Sequence, residues 1–281
     1  MKPTFTFALP FGSVAFEVAA SSETGSVRAV NEDSYIAEPP VFVVADGMGG
    51  HDRGDRASQT VAAVLRERLL GDTLPTAAAV LAAIGAANDA VRALTSDAGV
   101  PLVSGTTLSG MVLVGTEAGV ATHWMTINVG DSRLYTWDGR TLEQLTVDHS
   151  AVQELLDAGT ITEAAARVHP ERNIITRAVG ATPAIEPDVW LIPVLASESF
   201  LICSDGLTKE LDDTEIAAVL AAHSQSDDVA QALVDAANAA GGQDNITAVV
   251  VRATLTGAAG GEVIDNRLAE MIDHDTTPRI A

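Results

Sequence analysis

The chain has 281 residues, 47% of them hydrophobic and 19% charged, with 16 basic residues against 38 acidic ones for a formal net charge of −22. That hydrophobic share supplies a buried core and excludes a disordered chain, while the negative field excludes a surface built to grip a nucleic-acid backbone. The single cysteine, Cys203, excludes a disulfide framework and any multi-cysteine metal site; the only two lysines, Lys2 and Lys209, follow no glycine-rich run, so a Walker-type phosphate loop is absent.

Residues 1–20 read as an opening strand rather than an export signal, because Pro10, Gly12 and Glu17 break the apolar run. The expected location is therefore the cytoplasm. Period-two or wholly apolar runs predict strands over 14–19 and 41–45. A helix follows over 57–70, where Val61, Val64, Leu65 and Leu69 share one face. A second helix spans 76–94; its alanine-rich run 77–87 is too short to cross a bilayer, which needs about 20 residues. Strands over 108–114, 121–129, 134–137 and 141–145 come next, the last two joined by the turn Asp138-Gly139.

Residues 148–179 are mixed and polar and read as a flap inserted over the domain surface. Strands over 189–192 and 199–204 follow, with Cys203 as a small core residue. Helices over 213–222, capped by Asp212 or Thr214, and over 227–239 precede a last strand at 246–251. The domain is expected to occupy 1–256, with a Gly/Ala linker and an acidic, mobile tail over 257–281. Helices falling between groups of antiparallel strands predict an α+β fold of two antiparallel sheets covered by helices, not a doubly wound parallel sheet.

The segments Val43-Val44-Ala45-Asp46-Gly47 and Ile202-Cys203-Ser204-Asp205-Gly206 echo each other, each an apolar strand expected to stop at Asp-Gly. Val129-Gly130-Asp131-Ser132 nearly repeats the pattern, and Gly242-Gln243-Asp244-Asn245 runs it backwards into a strand. One Asp-Gly pair is an ordinary turn. Four such carboxylates at strand ends, with Glu32 and Asp33 beside Arg28, form a cluster whose mutual repulsion needs compensation. No lysine is read as lying nearby in sequence, so bound cations are the expected compensation. An all-oxygen donor set favours Mg²⁺ or Mn²⁺ over Zn²⁺.

Eight segments in one order, Arg28-Ala29-Val30-Asn31-Glu32-Asp33-Ser34, Val44-Ala45-Asp46-Gly47-Met48-Gly49-Gly50-His51, Ser104-Gly105-Thr106-Thr107, Gly130-Asp131-Ser132-Arg133, Thr146-Val147-Asp148-His149-Ser150, Ile175-Thr176-Arg177-Ala178-Val179-Gly180, Cys203-Ser204-Asp205-Gly206-Leu207-Thr208 and Asp244-Asn245-Ile246-Thr247, span 28–247. In these motifs the chain resembles bacterial-type members of the type 2C, metal-dependent serine/threonine protein phosphatases.

The resemblance implies a four-layer αββα sandwich with the metal site in a cleft at one sheet edge. It implies that Asp46 bridges two ions of Mn²⁺ or Mg²⁺, that Asp205 and Asp244 hold the first, and that Glu32 and the Gly47 carbonyl hold the second. Asp131 and Asp205 match the positions of a third, weaker ion. Arg28 would bind phosphate and Asp33 would orient waters or Arg28 from behind the ligands. His51 is the candidate general acid, although Met48 stands where animal members carry their histidine. Arg172 and Arg177 could touch substrate or pair with an acidic neighbour, and the second reading is preferred.

The implied reaction is hydrolysis of phosphoserine and phosphothreonine in proteins by a metal-bridging water, without a phosphoenzyme. It would reverse the work of a bacterial Ser/Thr kinase. The expected state is a monomer, with no nucleic-acid or membrane partner. A silent phosphate-recognising module and a hydrolase of small phosphate compounds stand as alternatives.

Overall fold

The computed structural model describes residues 6–9, 12–49, 54–94, 104–116, 121–223 and 227–256; the tail expected over 257–281 and the candidate acid His51 lie outside them. The opening segment is two strands, β1 (Thr6–Leu9) and β2 (Gly12–Glu23), rather than one. Next come β3 (Asp33–Glu38), β4 (Val41–Gly49), α1 (Gly54–Leu69) and α2 (Ala77–Arg92). The middle of the chain holds β5 (Ser104–Thr106), β6 (Leu108–Gly115), β7 (Ala121–Val129), β8 (Arg133–Trp137) and β9 (Leu142–Gln144). The short helices α3 (Ala151–Asp157) and α4 (Glu163–Ala166) lead to β10 (Asp188–Pro193) and β11 (Ser197–Cys203). The chain then forms α5 (Asp205–Glu210), α6 (Asp213–Ala222), α7 (Val229–Ala240) and β12 (Ile246–Thr256).

One sheet has the order β1-β2-β12-β11-β8-β9 and the other β10-β7-β6-β4-β3, with β5 paired to β4. Their ladders are antiparallel, as the grouping of strands and helices predicts. The apolar strands alternate between two buried environments. In β4, Phe42 and Val44 point into the space between the sheets, while Val41 and Val43 face α1 and α2. In β11, Phe200 and Ile202 point between the sheets, and Leu201 and Cys203 face α5, α6 and α7. Strands buried on both faces lose the polar alternation of a half-exposed strand, which is why these runs read as continuously apolar. Trp124 anchors the middle layer edge-on against Phe16 and Phe200, at ring-centroid distances of 5.8 and 5.7 Å. The result is an αββα sandwich.

Local signals hold where their partners are near in sequence. Thr76 caps α2 by accepting from Ala79 N–H, and Asp212 with Glu215 forms a capping box on α6. Asp138 accepts from the N–H groups of Arg140 and Thr141, and Gly139 takes φ +93° in the β8–β9 turn. The segment 148–179, expected as a flap, carries α3 and α4 and returns to the body through the bridges Ser150↔Ile175 and Thr106↔Val179. Among the described residues no helix is long and apolar enough to cross a membrane.

Candidate metal centre

Strand ends from both sheets meet at one end of the sandwich, and each carries a carboxylate. Asp46 lies on the same face of β4 as Phe42 and Val44, and Asp33 of β3 is its direct cross-strand partner. Asp131 follows β7 by two residues, Asp205 opens α5 straight after β11, and Asp244 precedes β12 by two. The expectation that β4 stops at Asp46-Gly47 needs correction. The strand runs on to Gly49 because β3 pairs with Asp46 on one side and β5 with Gly47 on the other. Backbone groups that stay paired have no reason to turn. The second Asp-Gly pair ends its strand but opens a helix, with Ser204 as the N-cap residue.

Hydroxyl and amide groups lock the carboxylates from behind. Asp33 accepts from Thr247 Oγ1 at 2.6 Å and from Ser204 Oγ at 2.7 Å, both on the opposite sheet's side of the site. Its oriented partners are therefore these hydroxyls rather than Arg28. Asn245 donates to the carbonyls of Thr24 and Val30 and accepts from Glu32 N–H, each at 2.9 Å, which ties the loop bearing Arg28 and Glu32 to the start of β12. Thr107 fastens Asp46 through the Asp46 N–H, and its hydroxyl also shares a hydrogen bond with Ser132 at 2.7 Å, beside Asp131. Gly130 takes φ +104°, and a Cβ there would stand 2.5 Å from Thr107 Cγ2, so this approach requires glycine.

Sequence reasoning missed one support. Glu32 Oε1 accepts from Gly54 N–H at 2.8 Å, and the Glu32 carbonyl accepts from Gly47 N–H at 3.1 Å. Gly47 and Gly54 press backbone to backbone: a Cβ on Gly54 would lie 2.5 Å from the Gly47 carbonyl carbon. A glycine at the start of a helix signals nothing by itself; only the contact with Gly47 gives it meaning.

The charge balance is strongly negative. Burial pushes the Asp33 carboxyl up to about 7, partly offset by its two hydroxyl donors and reinforced by Asp205 and Asp244. Burial pushes Asp131 up to about 8, with Asp205 and Asp148 adding and Lys209 subtracting. Asp46 is held well above the carboxylate range by burial and then by Asp33, Asp205, Asp131 and Asp244. Asp205 is raised for the same first reason, opposed by Lys209. The carboxylates thus repel one another within one shared field.

Two cations of the chain enter that field. The Arg28 guanidinium forks onto Asp244, with Nε 2.9 Å from Oδ1 and Nη2 3.0 Å from Oδ2. Lys209 Nζ pairs with Asp205 and lies 3.4 Å from Asp244 Oδ2. This corrects the reading that no lysine neighbours the carboxylates: Lys209 stands four residues after Asp205, one turn along α5. The i, i+4 spacing was present in the sequence, but it counts only once that segment is known to be helical.

The flap residues do other work. Arg177 pairs with Asp188 at 2.6 Å, the acidic-neighbour reading preferred for it. His149 accepts from Gly130 N–H through Nδ1 at 3.1 Å, which leaves its Nε2–H to face Asp188 Oδ2 at 3.1 Å. Arg133 forks onto Asp148 beside them. The exposed Arg172 reaches the His169 carbonyl.

Among the described residues, no three His, Cys, Asp or Glu side chains are gathered as a group that could hold a metal ion. The fit to hard cations rests instead on atoms left without partners. Asp33 Oδ1, Asp131 Oδ1 and Asp205 Oδ1 are buried and accept no hydrogen bond. Buried acceptors of this kind cost about 1–3 kcal/mol each unless compensated. The donors are all oxygens, so the residues suit Mg²⁺ or Mn²⁺.

Two packed sheets that deliver carboxylates with unpartnered buried oxygens to one end, beside an arginine fork, suit a metal-dependent hydrolase of phosphate esters. Residues 21–246 match the protein phosphatase 2C family, and the chain belongs to it. The serine/threonine phosphatase stp of Listeria monocytogenes serotype 4b is 36% identical over 251 residues, covering 84% of this chain and 95% of that protein. PstP of Mycobacterium tuberculosis is 36% identical over 245 residues, covering 85% of this chain and 45% of PstP. Among solved structures, the catalytic domain of the serine/threonine protein phosphatase PstP in complex with two manganese ions superposes with a TM-score of 0.75 at 34% identity, covering 86% of this chain and 99% of that one. The chain is thus a serine/threonine protein phosphatase, a hydrolase of the 2C type.

Proposed function

We infer that the chain dephosphorylates phosphoserine and phosphothreonine in proteins by direct attack of water, without a phosphoenzyme. The observation that carries this reading is the set of unpartnered buried carboxylate oxygens at the meeting point of both sheets. When bound, two divalent ions would neutralise the phosphoryl oxygens and acidify a water between them. Asp46 would hold both ions, Asp205 and Asp244 the first, and Glu32 with the Gly47 carbonyl the second. Asp131 and Asp205 would hold a third, weaker one. A relative solved with two manganese ions supports the first two.

The chain's own residues supply positioning. Arg28 is half-exposed, and its planar fork matches two phosphoryl oxygens as well as it matches Asp244. Asp33 fixes the ends of β11 and β12 through Ser204 and Thr247, and so sets where Asp205 and Asp244 stand. His51 would protonate the leaving alkoxide. The domain would end near 256, with the tail over 257–281 outside the catalytic unit. Its substrates would be proteins phosphorylated by a Ser/Thr kinase, and the chain would act as a monomer.

The test measures hydrolysis of p-nitrophenyl phosphate and of a phosphothreonine peptide with Mn²⁺ and with chelator. Metal-dependent turnover of both, abolished in Asp46→Ala and Asp205→Ala, is expected. Turnover of the small ester alone would overturn the protein-substrate reading, and no turnover with any metal would overturn catalysis.

A further inference from the structure

The segment Thr146-Val147-Asp148-His149-Ser150 is one of the eight motifs, yet the proposed mechanism uses none of it. In the fold, the buried His149 closes twice on a single residue, Gly130. Its N–H donates to the Gly130 carbonyl at 2.9 Å, and its Nδ1 accepts from Gly130 N–H at 3.1 Å. A ring nitrogen that accepts carries no proton, so the proton sits on Nε2, where Asp188 Oδ2 accepts from it at 3.1 Å. Arg177 pairs with the same Asp188 carboxylate, and the His149 carbonyl accepts from Thr176 N–H at 2.8 Å. The imidazole is thus fixed in tautomer and orientation by partners that are not metal ligands.

Gly130 directly precedes Asp131 and needs such a clamp. Its φ of +104° lies in the left-handed region, which glycine enters and leaves without steric cost. The peptide plane joining Gly130 to Asp131 is held at the Gly130 carbonyl, which accepts from His149 N–H and from Asn128 Nδ2. The plane before it carries the Gly130 N–H, whose partner is the imidazole. On the other side of Asp131, the Ser132 hydroxyl is held by Thr107. Asp131 Oδ1 is buried without a partner of its own, so its direction is inherited from this backbone. We propose that His149 is a positioning residue for the third divalent ion: through Gly130 it aims Asp131, and it does so by its Nδ1 acceptor rather than by ring size or charge. The inference rests on the assignment of Asp131 to that ion.

The experiment is calorimetric titration of the metal-stripped full chain with Mn²⁺ to saturation, comparing wild type, His149→Asn, His149→Gln and His149→Ala. Asn sets an oxygen as many bonds from Cα as Nδ1 and keeps the acceptor. Gln sets its amide where Nε2 stood and loses that acceptor, and Ala is a second such variant should Gln misfold. Melting temperatures check that each folds, and hydrogen exchange of the Gly130 amide, read by NMR on the metal-free chain, reports the contact itself. Wild type and Asn should protect this amide and bind a third, weakest equivalent of Mn²⁺ alike. Gln and Ala should lose the protection and bind that equivalent about 10–100-fold more weakly, with the first two unchanged. In an Asp131→Asn background, His149→Gln should change nothing further. Three equivalents with the same affinities in wild type, Gln and Ala would overturn the role of His149 and leave the third-ion assignment intact. Asn behaving like Ala would overturn the role given to the Nδ1 acceptor. Only two equivalents in wild type would overturn the third-ion assignment and this inference with it.

Discussion

The contact between Gly47 and Gly54 makes a sharp prediction, because it joins the packing of a helix to the geometry of two assigned ligands. In Gly54→Ala the new methyl would stand 2.5 Å from the Gly47 carbonyl carbon and oxygen and 2.8 Å from Glu32 Oε1. Ordinary contacts of this kind are ~3.4 Å or more, so α1 and β4 must part by up to about 1 Å. Forcing a methyl into packed backbone costs about 1–3 kcal/mol. Alanine in place of glycine in a helix returns about 0.5–1 kcal/mol, less at a first turn. The net loss is roughly 1–2 kcal/mol, a fall of about 2–8 °C in melting temperature for a domain of this size.

The larger effect should fall on metal use. Glu32 loses its Gly54 N–H donor, and the Gly47 carbonyl shifts with it. Disturbing a supporting contact of this kind weakens metal use about 10–100-fold. Thermal melts and the Mn²⁺ concentration giving half-maximal phosphatase rate should both be measured, with Gly85→Ala as control. Gly85 lies inside α2 with open space where its Cβ would point, so that variant should gain about 0.5–1 kcal/mol and keep its Mn²⁺ requirement. If Gly54→Ala melts no lower than wild type and saturates at the same Mn²⁺ concentration, the reasoning about this contact is wrong.

Two further outcomes follow from the hydrogen-bond pattern. Thr247→Val removes a buried donor 2.6 Å from Asp33 Oδ2 and should destabilise the domain by about 1.5–3 kcal/mol, read as a lower urea midpoint with unchanged slope; an unshifted midpoint would refute the role given to Asp33. His149 is buried, and its pKa is lowered by that burial, with Asp188, Arg177 and Asp148 facing it. The folded state therefore favours the neutral ring, and the unfolded chain binds the extra proton below about pH 6.5. Stability from this group is complete above that pH and is lost as pH falls through the folded value. Wild type should accordingly lose stability between pH 7 and 5 more steeply than His149→Asn, and parallel pH profiles would contradict the assignment.

Much of the sandwich was legible because its strands are buried on both faces. Runs such as Val41-Phe42-Val43-Val44 and Phe200-Leu201-Ile202-Cys203 have no other economical place. What escaped was set by partners distant in sequence. β3 is a polar-looking edge strand recognisable only through its pairing with β4. β4 passes through Asp46-Gly47, a turn signal overridden by β3 and β5 on its two sides. The carboxylates announced themselves through their glycine neighbours, but Lys209 did not, since α5 has only six residues and no side-chain cap bond to mark its start. The site was thus readable in its anions and in Arg28, while Lys209 became readable only once α5 was known to be helical.

The central claim is that carboxylates from both sheets form one binuclear metal centre. Anomalous diffraction at the manganese edge from crystals grown with Mn²⁺ tests it most directly. Two adjacent peaks are expected, with Asp46 oxygens on both, Asp205 and Asp244 on one, and Glu32 with the Gly47 carbonyl on the other. Manganese bound elsewhere, or no peak beside Asp46 at saturating metal, would contradict it.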